Sequence, residues 1–320
     1  MARGEKGADV SAMPNLIVLL GAGFSKNWNG LIAREVTNDL MAQLQNDAHL
    51  LALLDRMNFE DVLARLQSDY LSSRTVEDEA RLAAFQTALS GIFDRMNRSF
   101  QPRQFEFSTA VARSFGKFLT GFDAIFTLNQ DLLLELHYHR RENVALWHNT
   151  RWQGAEMPGL RPLPVTDHFN RASDKWRPEE PFQSNTRMQP YYKLHGSSGW
   201  LTDDGQPLLV IGRDKTGTIA QHPILHWTYQ QFERYLHRDD TRLMVIGYGF
   251  GDEHINQSLV DAHQAGKLKV IYLVQPSGKA IISDKCPALS KAPCIECTVP
   301  ISAAFNDHDM AFDQMRRIFQ

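Results

Sequence analysis

The chain has 320 residues, 43% hydrophobic and 22% charged, with a formal net charge of −3. That length holds one large domain or a core with a sizeable insertion, and the composition is that of an ordinary water-soluble globular protein. The charge balance and the absence of any Lys/Arg run argue against a nucleic-acid surface, and no window approaches the roughly 18–20 apolar residues of a membrane span.

In chain order, Met1–Pro14 is polar, lacks the apolar stretch of a signal peptide and reads as a flexible lead-in. The three cysteines are an odd number and suit a reducing compartment, so the expected location is the cytoplasm. Asn15–Leu20 is a short continuous apolar run, as in a strand buried on both faces of a parallel sheet. From about residue 30 to 120 the apolar positions recur at helical spacing, in Leu31–Leu44, Phe59–Leu71, Ala80–Met96 and Phe107–Leu119. Strand character returns at Asp123–Leu128, followed by a helix from about Leu132 to His139. Residues 141–190, rich in Pro, Trp, Asn and Arg, read as long loops covering a site. Tyr191–His195 and Leu208–Gly212 suggest further strands, and Trp227–His237 a helix. Leu243–Tyr248, Asp252–Gly266 and Leu268–Val274 form a β-α-β unit, which implies a right-handed crossover and a parallel sheet. Phe305–Phe319 is expected as one C-terminal helix. The predicted fold is therefore α/β, a Rossmann-like parallel sheet with an inserted, mostly helical subdomain.

Four segments carry polar or glycine-rich chemistry at strand ends, where open parallel sheets bind ligands. Gly21-Ala-Gly-Phe-Ser25 follows the first strand. Its glycines would let backbone amides close on a phosphate, and Ser25 could donate a hydroxyl or cap the next helix; a plain tight turn explains it equally well. Thr127, Asn129 and Asp131 emerge from the second strand and could meet a nicotinamide nucleotide, or simply form an Asx turn and helix cap. His195, followed by Gly196, has an intrinsic pKa of about 6.5, suited to general-base work; it could also be an ordinary loop histidine. Gly247-Tyr-Gly-Phe-Gly-Asp-Glu-His-Ile-Asn256 is a second glycine-rich strand-to-helix turn, in which Asp252 could cap the helix. Cys294-Ile-Glu-Cys297, with Cys286 nearby, lacks the second cysteine pair of a closed zinc site, so no metal is expected.

Taken together, Gly21–Ser25, Thr127-Leu-Asn-Gln-Asp131, Lys193-Leu-His-Gly196 and Gly247-Tyr-Gly-Phe-Gly-Asp252 resemble the sirtuin superfamily over about residues 15–280. They are most similar to its bacterial sirtuin-like branch of anti-phage defence effectors. Two departures matter. Leu128 stands where the sirtuin pattern has a glutamine, and no cysteine lies between His195 and Gly247, where deacylating sirtuins carry a zinc module.

The resemblance therefore implies a hydrolase that cleaves NAD to nicotinamide and ADP-ribose, an abortive-infection effector, rather than a deacylase. It implies that Asn129 orients water or ribose, that Asp131 holds the nicotinamide carboxamide and that His195 accepts a proton. Gly21, Ala22, Gly23 and Ser25 would cradle the diphosphate, with Phe24 and Thr127 in the same binding set, and Gly247, Phe250 and Asp252 would lie along the adenosine half. NAD would be the substrate. It further implies a homo-oligomer and a protein partner acting as sensor or activator, such as an ATPase. A module that binds NAD or ADP-ribose without turnover is the alternative in a different class, and an NAD-dependent deacylase the third.

Overall fold

The computed structural model describes residues 14–139, 144–164, 170–212 and 214–320. Met1–Met13, the first part of the expected lead-in, and His168 in the expected loop region lie outside them.

Eleven strands are found among the described residues: β1 (Asn15–Leu20), β2 (Ala124–Thr127), β3 (Ala155–Glu156), β4 (Leu160–Pro162), β5 (Trp176–Pro178), β6 (Gln189–Lys193), β7 (Gly196–Leu201), β8 (Pro207–Leu209), β9 (Thr241–Ile246), β10 (Leu268–Val274) and β11 (Cys294–Cys297). Seven form one sheet in the order β11-β10-β9-β1-β2-β6-β3, and all of its pairs are parallel. From β1 the chain runs outward on one side through β2 and β6, then returns to build β9, β10 and β11 on the other. The connection therefore reverses direction between β1 and β9, and a ligand crevice opens at such a switch point.

Side chains alternate across the sheet, and both faces are covered. Ile17, Leu19, Phe126, Leu243 and Val245 join one apolar cluster, which also holds buried residues of the helices Pro223–Leu236 and Glu253–Gln264. Val18, Leu20, Ile125, Met244 and Ile246 join the other, with the helices Ala33–Gln43, Ala48–Leu54, Phe59–Ser73 and Val76–Phe100. Burial on both faces is why β1 reads as an unbroken apolar run. Among the described residues no helix is long and apolar enough to cross a membrane.

Several sequence expectations need correction. Residues 107–119 do not form one helix. Phe105, Phe107 and Phe115 gather around Trp28, with ring centroids 4.7–5.6 Å from it. The Glu106 carboxylate and Ser114 hydroxyl then cap a separate short helix, Phe115–Leu119, by accepting its first amides. The loop region contains strands β3, β4 and β5, too short for a period to register. The last two of these join β7 and β8 in a second sheet of order β4-β5-β7-β8. β7 itself (Gly-Ser-Ser-Gly-Trp-Leu) has little strand propensity and exists through its pairing with β8. The C-terminal segment is two helices, Ile301–Asn306 and Asp309–Arg316, the second capped by His308. Cys294 and Cys297 stand three residues apart in one strand, so they point to opposite faces and cannot close on one ion.

Under the C-terminal edge of β6 lies a buried ion pair. Lys193 Nζ is 2.7 Å from Glu135 Oε1, both side chains are nearly inaccessible, and the ammonium also donates to the Asp131 carbonyl. Ser197 Oγ donates to the same Glu135 oxygen at 3.3 Å. Removing one member of such a pair strands a charge in the core, whereas removing both does not. Lys193→Met is expected to cost about 3–5 kcal/mol in urea unfolding, with most of it recovered in Lys193→Met/Glu135→Leu. A single variant as stable as the parent would contradict this.

Candidate active site

Strand register places the functional residues in line. Leu20 pairs with Thr127 on one side and Ile246 on the other, Thr127 with Lys193, and Ile246 with Val274. The next residues out, Gly21, Leu128, Leu194, Gly247 and Gln275, therefore share one edge. A cleft of about 510 Å³ opens there, within the range of small-molecule sites. It is lined by Gly21, Ala22, Gly23, Asn129, Asp131, His195, Gly247 and Asp252. The helical layer supplies the opposite wall with Ile32, Val36, Phe59, Phe93 and Met96.

Four of the sequence candidates do not line the cleft. Phe24 is buried against Trp28 at 5.1 Å. Ser25 lies beneath the floor, and Thr127 accepts the Asn129 amide while donating to the Leu20 carbonyl. Phe250 packs on Tyr248, its centroid 4.7 Å away, with a left-handed backbone at φ 53°.

The two glycine-rich turns pack directly on one another. Gly21 N donates to the Ile246 carbonyl at 3.0 Å and Gly23 N to the Gly247 carbonyl at 2.9 Å. A Cβ on Gly21 would sit 2.6 Å from Gly247 O, and one on Gly247, at φ 64°, 2.3 Å from the Gly23 backbone. These glycines thus serve backbone-to-backbone contact between neighbouring strands, and the Gly21 and Gly23 amides are already engaged.

Ser25 joins the first and second segments. Its hydroxyl donates to Asp131 Oδ2 at 2.7 Å and accepts from Asn129 Nδ2 at 2.9 Å. The same Asn129 nitrogen donates to the Gly21 carbonyl at 3.0 Å. A carbonyl can only accept, so the amide orientation is settled and its Oδ1 is left as an acceptor with no hydrogen-bond partner among the described residues. Asp131 Oδ1 accepts from Leu133 N at 3.0 Å, an Asx turn at the start of the Leu133–His137 helix. The turn reading and the cleft position of Asp131 both hold.

His195 is 4% exposed. Burial pushes its pKa down to about 3; the Asp252 carboxylate pulls it up, and Lys215 and His254 press it down again. The ring is therefore neutral at physiological pH, and its Nε2 faces His254 Nε2 at 3.1 Å. Gly196, at φ 70°, turns the chain from β6 into β7 where an added Cβ would lie 2.1 Å from the Leu208 carbonyl.

Asp252 stands at the N-cap position of its helix, but its side chain accepts none of the helix amides. Its Oδ1 lies 2.6 Å from Lys215 Nζ, a charge pairing that outweighs a neutral amide cap. Lys215 also reaches Glu60 Oε2 at 2.8 Å, so one ammonium bridges the helical layer and the sheet. Burial works against the Lys215 charge, yet the two carboxylates hold its pKa above the usual lysine value; burial raises Glu60. Sequence reading missed Glu60, Lys215 and His254. Only His254 had a visible signal, its position two residues after Asp252 in a segment already singled out. His195, Asp252 and His254 bring ligand-type atoms within 4.8 Å of one another.

Among known proteins, the family model of the SIR2-like domain matches residues 123–297. No curated protein gives a significant match to the chain.

The turn-on-turn contact is testable with a paired control. Gly247→Ala is expected to lower stability by about 3 kcal/mol or more, since backbone must move as well as adopt positive φ. Gly266→Ala, at φ 67° with nothing within 4 Å of the added methyl, is expected to cost only about 1–2 kcal/mol. Equal losses in thermal unfolding would show that the contact does not matter.

Proposed function

From a chain that belongs to the SIR2-like family, whose domains use NAD as substrate, we propose an NAD glycohydrolase that releases nicotinamide and ADP-ribose. The observation that carries the reading is the convergence of Asn129, Asp131 and His195 on one cleft at the β1/β9 switch point. In the reaction the ribose C1′–nitrogen bond breaks with its electron pair passing to the nicotinamide ring. A water oxygen then bonds C1′, and the water gives up a proton. The transition state carries positive charge on the ribose, so catalysis consists of placing acceptors around it and aiming the water.

Each residue has a matching chemical capacity. Asn129 Oδ1 is held outward by its own amide bonds and accepts from a water or ribose hydroxyl. Neutral His195 takes the proton, which the donor hydroxyl loses readily only as charge builds on the sugar. Asp131, braced by Ser25 and the Leu133 amide, offers remaining lone pairs to a carboxamide N–H. Gly249 and Gly251, which have open space where a Cβ would stand, let the nucleotide lie close to backbone, with Gly247 and Asp252 on the β9 side of the crevice. Water as the acceptor, rather than an acyl-lysine, is supported by the absence of any cysteine between His195 and Gly247. An effector role in anti-phage defence, with restraint by self-assembly or a partner, belongs to the same proposal.

Nicotinamide release measured by chromatography tests it. Asn129→Ala and His195→Ala are each expected to lower turnover about a hundredfold or more, with thermal unfolding still cooperative. Equal turnover in parent and variants would reject the assignment, and calorimetric NAD binding without nicotinamide release would leave a binding module.

The cleft's charge also sets a preference. Among the described residues lining it the cation is Lys215, already held by Glu60 and Asp252. The 2′-phosphate of NADP would bring roughly −1.5 to −2 charge against no free cation. NAD is expected to be favoured over NADP by about tenfold or more in kcat/KM, equivalent to ~1.4 kcal/mol. Comparable values for the two would show that another group meets the phosphate.

A further inference from the structure

The hydrolytic reading leaves His254 unused, although its position is specific. His254 stands in the first turn of the Glu253–Gln264 helix, and its Nε2 lies 3.1 Å from His195 Nε2, the ring planes tilted by 38°. Two imidazole nitrogens face each other this closely when they share one hydrogen or when both bind one cation. Nitrogens each ~2.0–2.1 Å from a zinc ion are roughly 2.9–3.4 Å apart across tetrahedral to octahedral angles, and the observed separation falls within that span. Asp252 completes the set, with one ligand-type atom from each of the three residues within 4.8 Å of the others. The donors come from the end of β6 and the start of one helix, and the Asp252 carboxylate has to close in on the two imidazoles to reach a common centre.

We propose that His195, His254 and Asp252 form a binding site for a borderline-soft divalent cation, zinc by preference, and that its occupancy holds the hydrolase off. Two imidazoles and one carboxylate suit Zn²⁺ and its later transition-metal neighbours rather than Mg²⁺ or Ca²⁺, which favour all-oxygen sets. Three protein ligands leave a fourth position for water, and two of the three residues, His195 and Asp252, line the cleft. Both histidines bind as neutral rings through Nε2, and the hydrogen between them moves to an Nδ1 or to solvent. Lys215 competes for the carboxylate at 2.6 Å, but Glu60 at 2.8 Å offers that ammonium a second anchor. The neighbouring positive charge makes the site weaker than a closed structural zinc centre, which suits reversible occupancy. A cation here occupies the lone pair that His195 needs to accept a proton. The inhibitory half of the proposal rests on the hydrolase reading; the binding half does not.

The experiment uses the whole chain, stripped with a chelator and desalted, then titrated with zinc chloride by calorimetry, with bound metal counted by elemental analysis. One zinc per chain is expected. His254→Ala and His195→Ala should each weaken binding at least tenfold, and the former, at a half-buried helical position, has little reason to misfold. Lys215→Met should tighten binding, and serine at Cys286, Cys294 and Cys297 together should leave it unchanged. No binding by the parent at millimolar zinc, or undiminished binding in both histidine variants, overturns the site. Saturating zinc should also suppress nicotinamide release by the parent protein, with recovery on adding chelator. Binding that leaves turnover untouched overturns the inhibitory role. A parent protein with no turnover under any condition would sink the hydrolase reading while the zinc count still decides the site.

Discussion

The site depends on a contact between two stretches of backbone. The turns after β1 and β9 approach so closely that Gly23 donates to the Gly247 carbonyl at 2.9 Å, and an added Cβ on Gly21, Gly23 or Gly247 would fall within 3 Å of the facing main chain. Nothing but glycine fits, because the opposing atoms belong to strands locked by their ladders and cannot step aside. The contact closes the floor of the crevice at the switch point. Ser25, just beyond, then ties Asn129 and Asp131 to the same floor. Three segments separated by about a hundred residues each are thereby held as one surface.

A second layer of order comes from charge. The sheet edge presents Asp131, Asp252 and the buried Lys193–Glu135 pair, and the helical layer adds Glu60. Lys215 lies between the two and pairs with both sides. In a partly dehydrated cleft such an ammonium both bridges the layers and screens its two carboxylates from each other. The same surroundings desolvate His195 until it stays neutral. The helical layer is thus part of the site, forming one wall of the crevice with the apolar residues Ile32, Val36, Phe59, Phe93 and Met96.

Local pattern made much of this legible. The continuous apolar strands, the β-α-β unit and the helices between residues 31 and 100 all follow from side-chain periodicity, which local sequence reports directly. So does the grouping of Asn129, Asp131 and His195 near strand ends. Periodicity has nothing to say about two- and three-residue strands such as β3 and β5, or about the polar Gly-Ser-Ser-Gly start of β7, whose conformation follows from its neighbours. The Phe105–Phe107–Phe115 group is a comparable case. The apolar spacing of Phe107–Leu119 mimics a helix, but Phe107 and Phe115 are spent on Trp28, with Phe105 beside them.

By itself, the sequence determined that two glycine turns follow buried parallel strands, that a histidine stands at another strand end, and that no cysteine lies between it and Gly247. These properties depend on residue type and short spacing alone. Tertiary structure decided the rest. The glycines face each other rather than standing open, the Asn129 amide nitrogen is pinned by Gly21 and Ser25, and the Asp252 side chain turns from its helix amides to Lys215. His254 comes to within hydrogen-bonding distance of His195, 59 residues away. Each of these outcomes is a competition between partners far apart in the chain, and only the packed fold brings the competitors together.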